Sequence, residues 1–181
     1  TPWDRYLAGD NTALSPAAKQ GALLFFGPAG CARCHAGDLF TDQQFYNIGA
    51  PQFGPGTSPI APLDYGRFNV TNQPADRFAF RTPSLRNVME TGPYLHNGAY
   101  QSLEEVVRHH LDPAANLAKY DGRSLPAELR ATLQNEAVTR EQILSTLSPL
   151  LAASPTLTNQ QIGQILAFLD SLTDTSLKRS N

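Results

Sequence analysis

The pattern of hydrophobic and polar positions predicts one helix in the first part of the chain and another near its end. The first begins at Pro16, which suits the first helical position, after Ser15 as N-cap, and it ends at Gly27. The second follows Thr158, a suitable N-cap, and carries an apolar stripe with helical spacing. The stripe consists of Ile162, Ile165, Leu166, Leu169 and Leu172.

A third helix is predicted from Ser102 to Leu111. Ser102 and Glu105 have the spacing of a capping box, in which each side chain bonds the backbone N–H of the other residue. Pro113 limits this helix at its other end because proline disrupts helical hydrogen bonding. A longer helical stretch is expected over residues 126–151.

Prolines and glycines cluster between Gly49 and Pro93, so we expect a mostly α-helical fold with a long irregular middle segment. The 181 residues, 41% hydrophobic and 17% charged, predict a single domain over 1–181. The net charge of -2 disfavours a nucleic-acid partner. No stretch approaches the roughly 18 apolar residues of a membrane span.

Both cysteines of the chain lie in one motif, Cys31-Ala32-Arg33-Cys34-His35. C-x-x-C-H is the signature of c-type haem attachment, in which two thiols bind the haem vinyl groups and the adjacent imidazole lies under the iron. A thiol redox pair and half of a zinc site are the competing interpretations. Zinc would need four ligands, and the other histidines lie far along the chain. A redox pair would lie in a βαβ pattern, and none is visible.

We therefore predict one covalent haem c with His35 as proximal ligand. Two terminal helices packed on each other, around one covalent haem, would give a class I cytochrome c-like domain. Since bacteria attach c-type haem outside the cytoplasm, the expected location is the periplasm.

Four residues could supply the second axial ligand: Met89, His96, His109 and His110. The predicted third helix has an apolar face formed by Leu103, Val106 and Val107. His110 falls on that face, whereas His109 is turned about 100° away. We favour His110, and expect Met89 to make an apolar contact and His96 to form hydrogen bonds near the haem edge. Either of these as ligand, or an open sixth position, remains an alternative.

Arg81 and Arg86 flank a proline-containing loop with few nearby acids. One interpretation is two solvated arginines. The other pairs one or both with the haem propionates, because guanidinium geometry suits carboxylates. We favour Arg86 for this role.

Several segments, taken together, are specific enough to indicate a family. They are Phe80-Arg81-Thr82-Pro83-Ser84-Leu85-Arg86-Asn87-Val88, Thr91-Gly92-Pro93-Tyr94-Leu95-His96-Asn97-Gly98 and Ser102-Leu103-Glu104-Glu105-Val106-Val107, with Asp4-Arg5-Tyr6-Leu7-Ala8-Gly9-Asp10, Leu39-Phe40-Thr41-Asp42 and Asn47-Ile48-Gly49. Nearly the whole chain resembles the C-terminal haem domain of the bacterial dihaem cytochrome c peroxidase and MauG family. The second C-x-x-C-H of that family, carried by an N-terminal domain, is missing from this sequence.

The resemblance implies that this domain holds the electron-transfer haem rather than the haem that meets peroxide. The family's distal ligand, Met in the peroxidases and Tyr in MauG, falls on His110 when counted without gaps from His96. Two imidazole ligands imply a lower potential than thioether ligation. The family also binds calcium between its domains, partly through carbonyls matching Thr91 and Pro93, so calcium is expected only at an incomplete site.

Three functions follow from these features. The first is electron transfer, with a small cytochrome, a cupredoxin or a haem-bearing domain or subunit as redox partner. The second is part of a dihaem peroxidase or MauG-like oxidase, because the start at Thr1 looks like the middle of a longer family pattern. The third is a small peroxidase or ligand sensor with an open distal side, where His110 or His96 would act in acid–base chemistry.

Overall fold

A computed structural model describes residues 1–57, 62–151 and 155–176. The described chain forms two compact units. The first unit holds residues 1–42, 82–92 and those from 155 onward, and the second holds residues 43–81 and 93–151. The expectation of a single domain stays a prediction.

Among its described residues, the first unit contains three helices and two short 3₁₀ turns. The helices are α1 (Pro2–Leu7), α2 (Pro16–Phe26) and α8 (Asn159–Asp170), and the turns span Cys31–Arg33 and Val88–Glu90. The second unit contains five helices and two strands among its described residues. They are β1 (Phe45–Tyr46), α3 (Phe68–Thr71), β2 (Phe80–Arg81), α4 (Leu103–Leu111), α5 (Pro113–Lys119), α6 (Ala127–Arg130) and α7 (Ala137–Leu144), with 3₁₀ turns at Pro74–Asp76 and Pro149–Leu151.

Helices α2 and α8 pack against each other, as expected for the two terminal helices. Their predicted N-caps are confirmed: Ser15 accepts a hydrogen bond from the Ala18 N–H, and Thr158 forms a capping box with Gln161. The helices meet at Gly21, where a Cβ would lie 2.9 Å from the Phe168 Cβ and closer still to the α8 backbone. The absence of a side chain at this position therefore permits the close contact.

Aromatic rings fill the space beside this helix pair. Phe168 is fully buried, with its ring centroid 5.1 Å from Trp3 and 5.0 Å from Phe25. Phe40, 2% exposed, completes the cluster at 6.0 Å from Phe168. The apolar stripe of α8 is buried at Ile162, Ile165, Leu169 and Leu172, whereas Leu166 is only half-buried.

The second unit confirms the short helix after Ser102. Ser102 accepts from the Glu105 N–H, and the Glu105 carboxylate accepts from the Ser102 N–H at 3.0 Å, which completes the predicted capping box. The next helix, α5, follows at once, because Asp112 serves both helices: its backbone N–H donates to the Arg108 carbonyl at the end of α4, and its side chain accepts from the Ala115 N–H at the start of α5. Sequence patterns did not indicate α5.

The prediction of one helical stretch over 126–151 is wrong. The chain forms α6 and α7 instead, separated by residues that pair with other parts of the unit. The Gln134 N–H donates to the Gln52 carbonyl at 2.9 Å, and the Asn135 side chain donates to the Tyr120 carbonyl at 2.9 Å. These partners lie far along the chain, and the hydrogen bonds to them replace those that a continuous helix would form.

The expected irregular middle segment is confirmed. Between Gly49 and Pro93, the described residues contain only α3, β2 and two 3₁₀ turns. Strand β2 pairs antiparallel with β1, with Phe45 opposite Arg81 and Tyr46 opposite Phe80. In the residues that the structure describes, no helix has the length and apolar character of a membrane span.

Candidate haem attachment site

The Cys31–Cys34 motif forms a tight 3₁₀ turn directly after α2. Gly30, with a φ of 70°, precedes the turn, and the Cys34 N–H donates to the Cys31 carbonyl at 3.3 Å. The His35 N–H donates to the same carbonyl at 3.0 Å, so the turn holds both cysteines and the histidine in one short loop. Neither cysteine is in a disulfide, and all three side chains are half-buried.

The His35 ring is held in one tautomer by the backbone. Its Nδ1 lies 3.0 Å from the Phe40 carbonyl oxygen. A carbonyl oxygen only accepts hydrogen bonds, so Nδ1 carries the proton and Nε2 carries the lone pair. This is the arrangement that protein-bound metals use, in which a backbone carbonyl orients the imidazole of the ligand. The motif therefore fits a covalently held haem.

The chemistry of Cys31 disfavours the thiol redox alternative. Burial raises the pKa of its thiol to about 11, and the nearby Arg33 guanidinium offsets this only in part. Thiol–disulfide exchange needs the thiolate, which a cysteine of this kind rarely forms at neutral pH. Within the described residues, no group of three or more His, Cys, Asp or Glu side chains is arranged to hold a metal ion. The incomplete calcium site stays a prediction.

The two adjacent histidines of α4 have different surroundings. His110 is half-buried, its Nδ1 lies 2.8 Å from the Val106 carbonyl oxygen, and burial lowers its pKa. His109 is fully buried. Its Nδ1 lies 2.9 Å from the Tyr100 hydroxyl and its Nε2 lies 2.8 Å from the Ile48 carbonyl oxygen.

The burial of His109 corrects the expectation that it turns away from the apolar face. At about 100° per residue, His109 lies about 60° from Val106 around the helix. The covered arc of α4 is thus wider than the stripe of Leu103, Val106 and Val107 indicates. A polar side chain is tolerated in this arc because Tyr100 and Ile48 satisfy both ring nitrogens.

His96 lies in the second unit, stacked on Phe80 with ring centroids 3.5 Å apart. Its Nε2 is 3.8 Å from an Asp64 carboxylate oxygen. Burial lowers the pKa of His96 to about 4, and Asp64 only partly opposes this shift. Arg81 is exposed and donates to the side chain of Gln43.

Arg86 lies in the first unit, close to the loop that holds His35. Its guanidinium lies 5.3 Å from the Phe40 ring centroid and donates to the Asp38 carbonyl at 2.7 Å. It also donates to the Asp4 carboxylate at 2.9 Å. Met89, 37% exposed, lies in the 3₁₀ turn of the same unit. The propionate and ligand roles of these residues stay predictions.

Sequence reasoning missed two groups that organise these sites. Phe40 supplies the carbonyl for His35 from a left-handed conformation with a φ of 53°, which only three-dimensional packing explains. Tyr100 bonds His109 through its hydroxyl, and its single sequence signal is a tyrosine nine residues before a histidine, which is too weak to indicate a contact.

Comparisons with known proteins agree with these features. No family model matches the chain. It is 36% identical over 178 residues to the cytochrome c peroxidase IdrP1 of Pseudomonas sp. strain SCT, covering 86% of this chain and 47% of that protein. It is 43% identical over 110 residues to the methylamine utilization protein MauG of Methylorubrum extorquens, covering 61% of this chain and 29% of that protein.

A solved structure extends the likeness to the fold. The crystal structure of a MauG-like protein associated with microbial copper homeostasis matches with a TM-score of 0.69 and 30% identity, covering 99% of this chain and 53% of that one. The chain thus spans about half the length of the peroxidase IdrP1 and of this MauG-like protein. Over most of its own length, this chain matches the family of bacterial cytochrome c peroxidases and MauG proteins.

Proposed function

We propose that this chain binds one haem covalently through Cys31 and Cys34, with His35 and His110 as axial ligands, and transfers electrons. The observation that carries the proposal is the hydrogen bond from His35 Nδ1 to the Phe40 carbonyl, within a C-x-x-C-H turn. This bond orients an imidazole for metal ligation, and a buried redox thiol would not need it.

The surroundings of the two α4 histidines support His110 as the second ligand. Both nitrogens of His109 are engaged by Tyr100 and Ile48, so this ring would have to give up a buried hydrogen bond to bind iron. The Nδ1 of His110 faces the Val106 carbonyl, and its Nε2 is then the nitrogen that carries the lone pair.

Different residues of the chain would have different roles at such a haem centre. When bound, the haem supplies an iron that changes oxidation state. His35 and His110 would hold the iron, and each ring is oriented by a backbone carbonyl that does not depend on the oxidation state. Arg86 is the favoured partner for a propionate, and Arg81 and His96 are secondary candidates near the haem edge. Two imidazoles favour a lower potential than a histidine–methionine pair.

The proposed setting follows from the chemistry of attachment. C-type haem is attached outside the bacterial cytoplasm, so we place the chain in the periplasm. Its partner would be a small cytochrome, a cupredoxin or a haem-bearing domain or subunit. Calcium would bind only at an incomplete site near Thr91 and Pro93.

A second function is favoured by the comparisons. The relatives are named as a peroxidase, of which the chain covers 47%, and as MauG, of which it covers 29%. The chain also covers 53% of the MauG-like protein of known structure. The chain would then be the electron-transfer part of a dihaem enzyme, and peroxide chemistry would need a second haem domain. Electron transfer is the role of this chain under both proposals.

The test is an absorption spectrum of the oxidised and dithionite-reduced protein, repeated with carbon monoxide and with peroxide. We expect a low-spin reduced haem that does not bind carbon monoxide. His110→Ala should open the sixth position and bind carbon monoxide, whereas the control His96→Ala should not. A wild-type protein that binds carbon monoxide and forms a high-valent species with peroxide would overturn the assigned ligation.

A further inference from the structure

A buried hydrogen-bonded chain crosses the second unit beside His110. It runs from the Tyr100 hydroxyl to His109 Nδ1 at 2.9 Å, and from His109 Nε2 to the Ile48 carbonyl oxygen at 2.8 Å. Tyr100 is 6% exposed and His109 is fully buried. A buried histidine needs a partner for each ring nitrogen, and here one partner is a tyrosine hydroxyl and the other a backbone carbonyl.

The direction of each hydrogen bond follows from the Ile48 carbonyl oxygen, where this series of hydrogen bonds ends. The Ile48 carbonyl can only accept, so His109 Nε2 carries the ring proton. His109 Nδ1 is then the acceptor, and the Tyr100 hydroxyl donates to it. The ring is therefore fixed in tautomer and in rotation from both sides.

The Ile48 carbonyl, which accepts the hydrogen bond from His109, lies in a segment that is itself held in place. Asn47, 2% exposed, donates to the Ile143 carbonyl at 2.6 Å and to the Thr146 hydroxyl at 3.0 Å. Its side-chain oxygen accepts from the Gly49 N–H at 2.8 Å. These bonds bracket Ile48 on both sides, so its carbonyl is a fixed anchor for His109.

His109 and His110 are consecutive residues of α4, whose covered side also carries Val106, packed against a buried cluster that includes Tyr100. Leu103 is buried, but Val106 and Val107 are only half-buried. The capping box at Ser102 holds only the first turn of α4. The last turn, which carries His110, is held by the two-sided bonding of His109 and by the Asn116 side chain, which donates to the Arg108 carbonyl at 3.0 Å. Of these contacts, only those of His109 fix a ring next to His110.

We propose that Tyr100 is a positioning residue for His110, because its hydroxyl, through His109 and the Ile48 carbonyl, fixes the rotation of the last turn of α4. This inference rests on the proposed ligation of a haem by His110. In protein metal sites, removing a group that is hydrogen-bonded directly to a ligand alters metal affinity or activity by about 10- to 100-fold. Tyr100 bonds the residue next to the proposed ligand, so the lower end of that range is expected.

Tyr100→Phe tests the inference, and Tyr120→Phe is a matched control. Tyr120 is 8% exposed, its ring packs 5.5 Å from Tyr100, and its hydroxyl donates to the Ala99 carbonyl at 2.8 Å rather than to α4. Each variant removes one buried tyrosine hydroxyl. The readouts are the electron paramagnetic resonance g-values of the oxidised haem-bearing protein, its potential, and carbon monoxide binding after reduction.

We expect Tyr100→Phe to broaden or shift the g-values and to bind carbon monoxide about tenfold more readily than wild type. Tyr120→Phe should lower the urea midpoint while leaving g-values, potential and carbon monoxide binding unchanged. Identical haem properties in Tyr100→Phe and wild type, or equal changes in both variants, would overturn the inference.

Two further outcomes keep the proposals separate. If wild-type protein already binds carbon monoxide, the proposed ligation by His110 fails and the inference falls with it. If Tyr100→Phe yields no haem-bearing protein, Asn47→Ser is measured instead, because it loosens the Ile48 anchor with Tyr100 intact. A shift in the g-values of Asn47→Ser supports the inference, and unchanged g-values overturn it.

Discussion

The carbonyl of Phe40 lies 3.0 Å from Nδ1 of His35, and Phe40 reaches this position in a left-handed backbone conformation with a φ of 53°. Such a conformation is unfavourable for a large side chain by about 1–3 kcal/mol. The Phe40 ring is 2% exposed and packs against Phe25 and Phe168. The packing of α2 and α8 therefore stabilises the conformation that orients the proposed haem ligand.

Replacing Phe40 should affect both stability and the haem. Phe40→Ala removes a buried ring, so we expect a loss of about 3–5 kcal/mol in the free energy of unfolding. A loosened hydrogen bond to His35 makes its imidazole less basic, so the midpoint potential should rise. Urea unfolding and redox titration measure the two effects.

Leu39→Ala is the control for Phe40→Ala. Leu39 is adjacent to Phe40 but 56% exposed. Its replacement should change stability by less than about 0.5 kcal/mol and leave the potential unchanged. Equal effects of the two substitutions would contradict the role assigned to Phe40.

The contact between α2 and α8 predicts opposite effects at two helical glycines. Gly21→Ala places a Cβ 2.9 Å from the Phe168 Cβ and closer still to the α8 backbone, so we expect a loss of about 1–3 kcal/mol. Gly163→Ala, in α8, has no atom within 4 Å of the new Cβ and should gain about 0.5–1 kcal/mol. Chemical denaturation measures both, and a stable Gly21→Ala protein would refute the close packing.

Arg86 and Arg81 should differ in their contribution to stability. Arg86 donates to the Asp4 carboxylate and the Asp38 carbonyl, and it lies over the Phe40 ring. Because Asp4 is half exposed, we expect Arg86→Ala to cost only about 1 kcal/mol. Arg81→Ala should cost less than about 0.5 kcal/mol, since the side chain is exposed. Thermal unfolding at low and high salt would separate the charge effect from lost packing.

The lowered pKa of His96 predicts that the protein loses stability in mild acid. Burial lowers its pKa to about 4, with Asp64 opposing, whereas an unfolded chain has a histidine pKa of about 6.5. As the pH falls from about 6.5 to about 4, the unfolded chain takes up a proton that the folded chain does not. This group therefore stabilises the fold above that window, and the free energy of unfolding falls by at most about 3 kcal/mol across it.

His96→Gln tests this pH dependence. Urea unfolding of wild type and variant at about pH 7 and about pH 5 should show a smaller decrease for the variant. His109, whose pKa burial also lowers to about 4, is present in both proteins and cancels in the difference. An equal decrease in both proteins would show that His96 does not titrate in this way.

Local sequence signals were sufficient to predict where the helices begin and to indicate the haem attachment motif. Ser15, Thr158 and the Ser102–Glu105 pair bond N–H groups three residues away, so their effects are visible in the sequence. The spacing of Cys31, Cys34 and His35 is likewise local. For this reason the helix after Ser15, the helix after Thr158 and the helix after Ser102 are confirmed.

Tertiary structure decided what depends on partners far along the chain. The stretch over 126–151 divides into α6 and α7 because Gln134 and Asn135 bond to distant segments. His109 is buried because Tyr100 and Ile48 satisfy its ring, and Phe40 adopts a left-handed conformation because a packed aromatic cluster holds it. Helical periodicity describes one segment at a time, so it cannot reveal the partners that stabilise a buried polar ring or a strained backbone.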